Sequence, residues 1–454
     1  MIITKDTNIT AENLNAWISA FKNQEDQQPR LIKLGEYYDG INEIKKQGAT
    51  AGRPNYSIHV NLATFITNVQ TGYFMGKPVD YDFKEEEKGQ ENPLKKTLLQ
   101  IDSNNFAEEK NYSLASDMSC YGVAYEVVMI DGDNENKSDI LNRIKFAKLD
   151  AENTFFVVDD SILQNPVCAV YMYSVKNINN IEEWRGYVYT ADEIIEFEML
   201  GTQAVIGESY PHQFGEIPVI EYKNNCDRKG DYEAVTDQLD ALSLTISNET
   251  DDLQSIANAI LGIYGATGTD DEVIKKINKT KVAKLPVGSN MEFVVKNINI
   301  DAVKHQIDQN LSLIYQITQT PDLTDDNFGG TQTGVAMKYK LWGIEQCRIT
   351  KERYFRRSLF QRLRLIFNIL SLSSGSIYDI SQNIDFIFYK NLPENDADVV
   401  DLVSRLQGIV STRTLLKQIP FVDDVDAEME ELKKENQENA EREAEAFASY
   451  KDEE

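Results

Sequence analysis

Apolar residues Leu14, Trp17, Ile18 and Phe21 recur at three- and four-residue spacing, which predicts a helix over residues 13–38. Gly35 and Gly40 punctuate a polar turn region that runs to Pro54. The segment NLATFITNVQTG, residues 61–72, reads as a second amphipathic helix that should stop at Gly72, where the periodicity ends. Residues 73–83 look strand-like, the charged stretch 84–92 should be an exposed loop, and helix is expected again over 104–121. Gly122 then opens a β region that runs to residue 222. VAYEVVMI, FAKLD, NTFFVVDD, VCAVYMYS, WRGYVYTADEIIEFEM and PVIEY are separated by Asn, Asp, Gly and Pro turns, so 123–222 is expected to be mainly β.

Helical spacing returns through Val235, Leu239, Leu242, Ile246, Leu253 and Ile256, and predicts a long helix over 232–259. A small mixed module at 260–300 contains a helix (EVIKKIN) and strands (VAKLP, MEFVVK). Asp301 can cap a helix that runs until Pro321 stops it. The polar loop PDLTDDNFGGTQT, residues 321–333, precedes one helix of unusual length over 334–372, about 58 Å if unbroken. A short strand pair near 384–389 and a helical pair at 396–408 and 411–417 complete the pattern. The expected fold class is α+β, mainly helical.

Charge changes this picture more than composition does. With 46 basic and 74 acidic residues the net charge is -28, the wrong sign for gripping nucleic acid through many phosphates. Residues 423–454 contribute 14 acidic and 4 basic side chains and should form a solvated, partly frayed helix. The long helix is the local exception. Lys338, Lys340, Arg348, Lys351, Arg353, Arg356, Arg357, Arg362 and Arg364 face only Glu345 and Glu352 there, a net of +7. Two readings stand: contact with DNA phosphates, or salt bridges to acidic neighbouring subunits, the second favoured because the rest of the chain is so acidic. The loop residues Asp322, Asp325 and Asp326, with Asn327, Gly329 and Gly330, either repel phosphate from a lining or simply connect two helices.

Hydrophobic residues make up 41% and aromatics 10% of 454 residues, enough for several folded substructures and against wholesale disorder. The four cysteines lie far apart, so neither a disulfide framework nor a zinc site is expected, and a reducing cytosol fits. Residues 1–10 lack an apolar signal core, and no stretch nears the ~18 apolar residues of a membrane span. No P-loop, G-x-S-x-G elbow or H-E-x-x-H pair occurs, and His59, His212 and His305 stand in unrelated contexts. Asp131, Asp133 and Glu135 alternate as in a calcium loop. The required Gly is missing, however, and Asn142 occupies the bidentate Glu position, so a hairpin loop is the better reading. No cofactor is expected. A magnesium nuclease built on carboxylates finds no compact Asp/Glu cluster to support it.

Four segments resemble the portal proteins of long-tailed phages that infect Gram-positive bacteria. They are YYDGINEIKKQG with RPNYSIHVNLATFITNVQTGYFMGKPVDY (37–81), YGVAYE (121–126), GEIPVIEYKNNCDRKGDYEAVTDQLDALSLTISNETDDLQ (215–254) and GIVSTRTLLKQIPFVDDVDAEMEELKKE (408–435). The resemblance implies an elongated, non-enzymatic subunit of a ring, typically of twelve copies, with wing, stem, clip and crown around an axial channel. It maps the wing to 1–229, stem helices to 230–259 and 301–320, the clip to 260–300 and the tunnel loop to 321–333. The long helix and wing return fall at 334–395, and the crown with its acidic tail at 396–454. Implied partners are double-stranded DNA in the channel, a terminase, a head-completion adaptor, and scaffolding and major capsid proteins, with no membrane. The implied location is the capsid vertex of the virion, after assembly in the host cytoplasm. Arg348, Arg353, Arg356, Arg357 and Arg364 become candidates for subunit-interface or phosphate contact. An acidic virion scaffold or adaptor without a channel is the alternative.

Overall fold

The computed structural model describes residues 1–41, 55–83, 93–132, 140–176, 182–257, 260–264, 290–294, 299–323, 339–374, 384–391 and 403–416, with isolated positions between them and parts of 419–437. The chain divides into two units, Met1–Lys390 and Asn391–Glu454.

In the first unit, strand β1 (Ile2–Thr4) precedes helices α1 (Ala11–Asn23) and α2 (Gln28–Asp39). The helix expected over 13–38 is thus two. Pro29 lacks an N–H and fixes its own φ, so it suits a first turn and helix restarts there. Thr10 caps α1 by accepting a hydrogen bond from the Asn13 N–H, and Leu14, Trp17, Ile18 and Phe21 are its buried face, as the spacing predicted. Helix α3 (Leu62–Met75) runs past Gly72, which the pattern made its end. Tyr73, Phe74 and Met75 are buried, and that packing outweighs the glycine's helix penalty of about 1 kcal/mol. Only Asp80–Phe83 (β2) is strand. The charged stretch 84–92 lies outside the described residues.

Helices α4 (Pro93–Asn105) and α5 (Ala107–Tyr121) meet at Phe106, whose φ of 51° places a non-glycine residue in the left-handed region. The helix expected from 104 therefore starts after a corner. Gly122 ends α5 with φ 81°, and a Cβ there would sit 2.1 Å from the Arg228 carbonyl oxygen, so no side chain is tolerated.

The β region expected over 123–222 is realised as two sheets. One is antiparallel, with β3 (Val123–Ile130) between β4 (Ile144–Leu149) and β10 (Val219–Lys223); the short helix α6 (Ile140–Arg143) precedes β4. The other has six strands in the order β1, β5 (Thr154–Asp159), β6 (Pro166–Lys176), β7 (Glu182–Tyr189), β8 (Glu193–Leu200), β9 (Gln203–Pro211). Its consecutive hairpins are antiparallel, and β1 joins the edge in parallel with β5. Of the loop weighed as a calcium site, 133–139 lies outside the described residues, while Arg143 closes its base by donating to the carbonyls of Asp131 and Gly132.

Helix α7 (Thr236–Ala257) leads to the antiparallel strands β11 (Ile260–Tyr264) and β12 (Asn290–Val294), and helix α8 (Ile300–Thr318) returns to pack on α7. The strand expected in MEFVVK is β12; EVIKKIN and VAKLP lie outside the described residues. Asn299, not Asp301, caps α8, accepting from the Ala302 N–H. The extended segment 55–60 is laid along α7: Ser243, Ser247 and Asp251, each one turn beyond the last, accept the N–H groups of Val60, Ile58 and Tyr56.

The long helix is α9 (Trp342–Ser374), 33 residues and so about 50 Å. Where a strand pair was expected at 384–389, the described residues form one strand, β13 (Ile384–Ile387), whose partner is the distant β2. One core cluster gathers α3, α4, α5, β3, β10, β13 and α9 around Phe355 and Tyr222. A second lies between α1 and the six-stranded sheet, and a third joins α2 and α3 to α7 and α8 through Tyr37, Tyr232, Leu242 and Ile314.

In the second unit residues 403–406 are helical, as are α10 (Thr412–Leu416) and 428–435 in the acidic tail. Residues 396–402 lie outside the described residues. Among those described, no helix is long and apolar enough to cross a membrane.

Candidate functional site

The loop predicted at 321–333 springs from a fixed base. Helix α8 ends at Thr318, and Gln319 turns the chain with φ 53°. The start of α9 comes close beside it: a Cβ on Gly343 would stand 3.2 Å from that of Gln319, and the Cys347 thiol donates to the Gln319 side-chain oxygen at 3.1 Å. Beneath them Gln70 of α3 donates to the Thr318 carbonyl (3.1 Å) and the Thr320 hydroxyl (3.3 Å), and Lys351 of α9 reaches Gln70 Oε1 at 3.4 Å. The Lys351 ammonium is paired with Asp231, which also accepts from Ser119 and Asn224. This buried polar network, which sequence reasoning missed, ties the end of α8 and the early turns of α9 to α3 and α5. Of the predicted loop residues, Asp322 is half-buried and directly follows this base. Asp325, Asp326, Asn327, Gly329 and Gly330 lie outside the described residues.

The basic residues of α9 do not form one group. Arg362 is buried and forked onto Glu126 of β3 (2.8 and 2.9 Å), with a further bond to Asn111 of α5 at 2.9 Å. Burial alone would push its proton off, but the Glu126 carboxylate outweighs burial and raises the guanidinium pKa. Phe146 and Tyr222 flank it at 5.0 and 5.9 Å. Arg348, also buried, bridges Glu345 (3.1 Å) and Glu352 (2.6 Å) on its own helix. Burial pushes the Glu345 carboxyl up, yet bonds from Arg348, Lys390 and Tyr73 prevail and hold it down to about 2. Arg356 pairs with Glu352 at 2.8 Å and with Asp385 of β13. Arg348 and Arg356, candidates for subunit-interface or phosphate contact, are thus both ion-paired within the chain.

A sequence signal for this existed. At 100° per residue Arg348, Lys351, Phe355, Ser358, Arg362 and Ile366 fall within about 80° of one another, a stripe that mixes cations with apolar residues and so marks a buried face. On the opposite face Arg353, Arg357 and Arg364 are exposed. Arg364 touches Glu216 at 2.9 Å, while Arg353 and Arg357 have no ion pair among the described residues. With Arg356, Gln361, Phe360 and Pro166 they line a groove of about 620 Å³.

These features define a protein of mixed α and β architecture, in which buried charge fastens long helices and exposed charge lies on one helix face. The chain matches the family model described as phage portal protein, SPP1 Gp6-like, over residues 20–442, and it belongs to that family. It is 21% identical over 440 residues to the portal protein of Clostridium phage phiCD119, covering 91% of this chain and 94% of that one. To the portal protein of Bacillus phage SPP1 it is 22% identical over 481 residues, covering 97% of this chain and 90% of that one.

Proposed function

We propose that this phage portal protein is one of twelve subunits of a homo-oligomeric ring, whose axial channel at the capsid vertex passes double-stranded DNA during packaging and ejection. The observation that carries the reading is the family match, which spans nearly the whole chain, 20–442, rather than one domain of it. Within that frame α7 and α8 serve as stem helices, and the β11–β12 module between them as a clip that docks a terminase and later a head-completion adaptor. Residues 1–229 and 334–395 form the wing and its return, and 396–454 the crown. Scaffolding and major capsid proteins are the assembly partners in the host cytoplasm.

The subunit performs no catalysis itself; a separate terminase supplies the force. A net charge of -28 suits passage, because phosphate contacts would be sticking points, whereas like charge keeps the duplex away from the wall within a Debye length of ~8 Å. The loop 321–333 is the part assigned to this role, and the close approach of Gly343 in α9 to Gln319 at the end of α8 supports the reading.

Electron micrographs of the purified protein test the reading. Closed rings with an axial opening are expected; rings without an opening would favour the scaffold or adaptor alternative, and monomers at every concentration would sink both. Replacing Asp325 and Asp326 by Lys should impair packaging while rings still assemble. Normal packaging by that variant would remove the electrostatic role of the loop.

A further inference from the structure

Closure of a ring from identical subunits needs two different surfaces on each copy, placed on different sides and complementary to one another. The arginine groove on α9 is one candidate. At 100° per residue Arg353, Arg357, Phe360 and Arg364 lie within about 60° of each other, and Arg362 stands roughly 140–180° away from the three arginines. Arg362 points inward to Glu126 of β3 and Asn111 of α5. The groove thus faces away from the layer in which α9 meets β3 and α5. Its floor is not purely ionic, since Phe360 and Pro166 contribute to it.

The far side of the same layer carries the complement. On α5 Glu109 and Tyr112 lie about 160° and 100° round the helix from Asn111, and Glu108, Glu109 and Tyr112 are all exposed. Beside them Leu99 is 46% exposed, and Phe106 is 71% exposed at the α4–α5 corner, in a left-handed conformation that a bulky residue seldom adopts. An exposed aromatic held in an unfavourable backbone state, flanked by two carboxylates with no ion partner among the described residues, has the character of an interface anchor.

We propose that the arginine groove of one copy receives the α4–α5 corner of the next, with Phe106 against Phe360 and Pro166, and Glu108 and Glu109 facing Arg353, Arg357 and Arg364. This deepens the ring reading above and rests on it. A duplex phosphate backbone is the rival occupant. The corner is favoured because the groove has an aromatic and proline floor, which gives an apolar side chain such as Phe106 a contact that a phosphate backbone does not use.

Charge reversal tests the pairing on full-length protein. Arg353→Glu with Arg357→Glu makes both mating surfaces acidic; Glu108→Arg with Glu109→Arg makes both basic. Each variant alone should need at least about tenfold more protein to reach half-assembly by light scattering. An equimolar mixture of the two should assemble near the wild-type concentration, because groove and corner then alternate in sign around the ring. Closure in the mixture should give only even numbers of subunits. Thermal unfolding of each variant confirms that the subunit is folded. Phe106→Gly supplies a control free of charge, since it should weaken assembly while the left-handed corner keeps the monomer fold. If wild-type protein forms rings and either reversed variant does so equally well, or the mixture stays dissociated, this interface is wrong while the ring stands. If Arg353→Glu with Arg357→Glu assembles normally but loses salt-sensitive binding of duplex DNA, the groove holds phosphate instead. Wild-type protein that forms no ring removes the ring reading itself.

Discussion

Arg362 and Arg364 stand two residues apart on α9, each paired with a glutamate at under 3 Å, and their surroundings make them different interactions. Arg362 is 2% exposed and Glu126 fully buried, so both charges have left water and depend on one another, on Asn111 and on two aromatic faces. The Arg364 side chain is 51% exposed, and water and salt compete with Glu216 for it. A buried pair adds little over an apolar pair of the same shape but is costly to break on one side, whereas an exposed pair is worth about 0–1 kcal/mol either way. What matters on this helix is therefore which face a cation occupies, not that it is a cation.

The sharpest way to break the contrast is Arg362→Met. Stranding Glu126 should cost about 3–5 kcal/mol, read as a lower urea midpoint with an unchanged slope. Adding Glu126→Leu should return a large part of that loss, because both buried charges are then gone. A single-variant loss below about 1 kcal/mol would mean that water reaches the pair and that the two faces do not differ.

How much of this was legible in sequence follows the same physics. Apolar runs separated by Asn, Asp, Gly and Pro turns exposed the β region 123–222, and three/four spacing exposed the buried face of α1, because it records which side meets the core. The division of that region into six-stranded and three-stranded sheets was not legible. Neither was the parallel docking of Ile2–Thr4 on β5, since three residues carry no period and the partner is distant. Gly72 inside α3 and the Phe106 corner were misplaced because burial of Tyr73, Phe74 and Met75, and strain tolerated at one residue, override local preference. The site divided likewise. Net charge marked α9 as the odd element, but counting its nine cations together hid the fact that Arg348, Lys351 and Arg362 belong to the core.

Acid sharpens the comparison near the start of α9, where Glu345 is partly buried beside Arg348. Glu345 is held down to about 2 in the folded protein against an ordinary value near 4.5, so its contribution is fully present above about pH 4.5 and is lost as pH falls toward 2. Partial exposure of its partner Lys390 argues for a contribution on the order of 1–2 kcal/mol rather than the full linkage value. Glu345→Gln should be less stable than wild type at pH 6 by that amount, and the two urea midpoints should draw together as pH falls from 4.5 through about 2. A constant difference across this range would show that the loss is one of packing, not of charge.

The smallest expected effect is the most direct test of the outer face. Arg364→Ala removes a cation from a half-exposed pair whose glutamate can turn to water, so unfolding free energy should change by no more than about 0.5 kcal/mol. Raising salt from 0.05 to 0.5 M should shrink even that difference, because the screening length falls well below 10 Å. Subunit association should still weaken in the same variant, since the groove loses one of its three exposed arginines. Stability unchanged with association weakened is the signature of a surface built for a partner. Stability lost by more than 1 kcal/mol would place Arg364 with Arg362 as part of the fold and erase the distinction between the two faces.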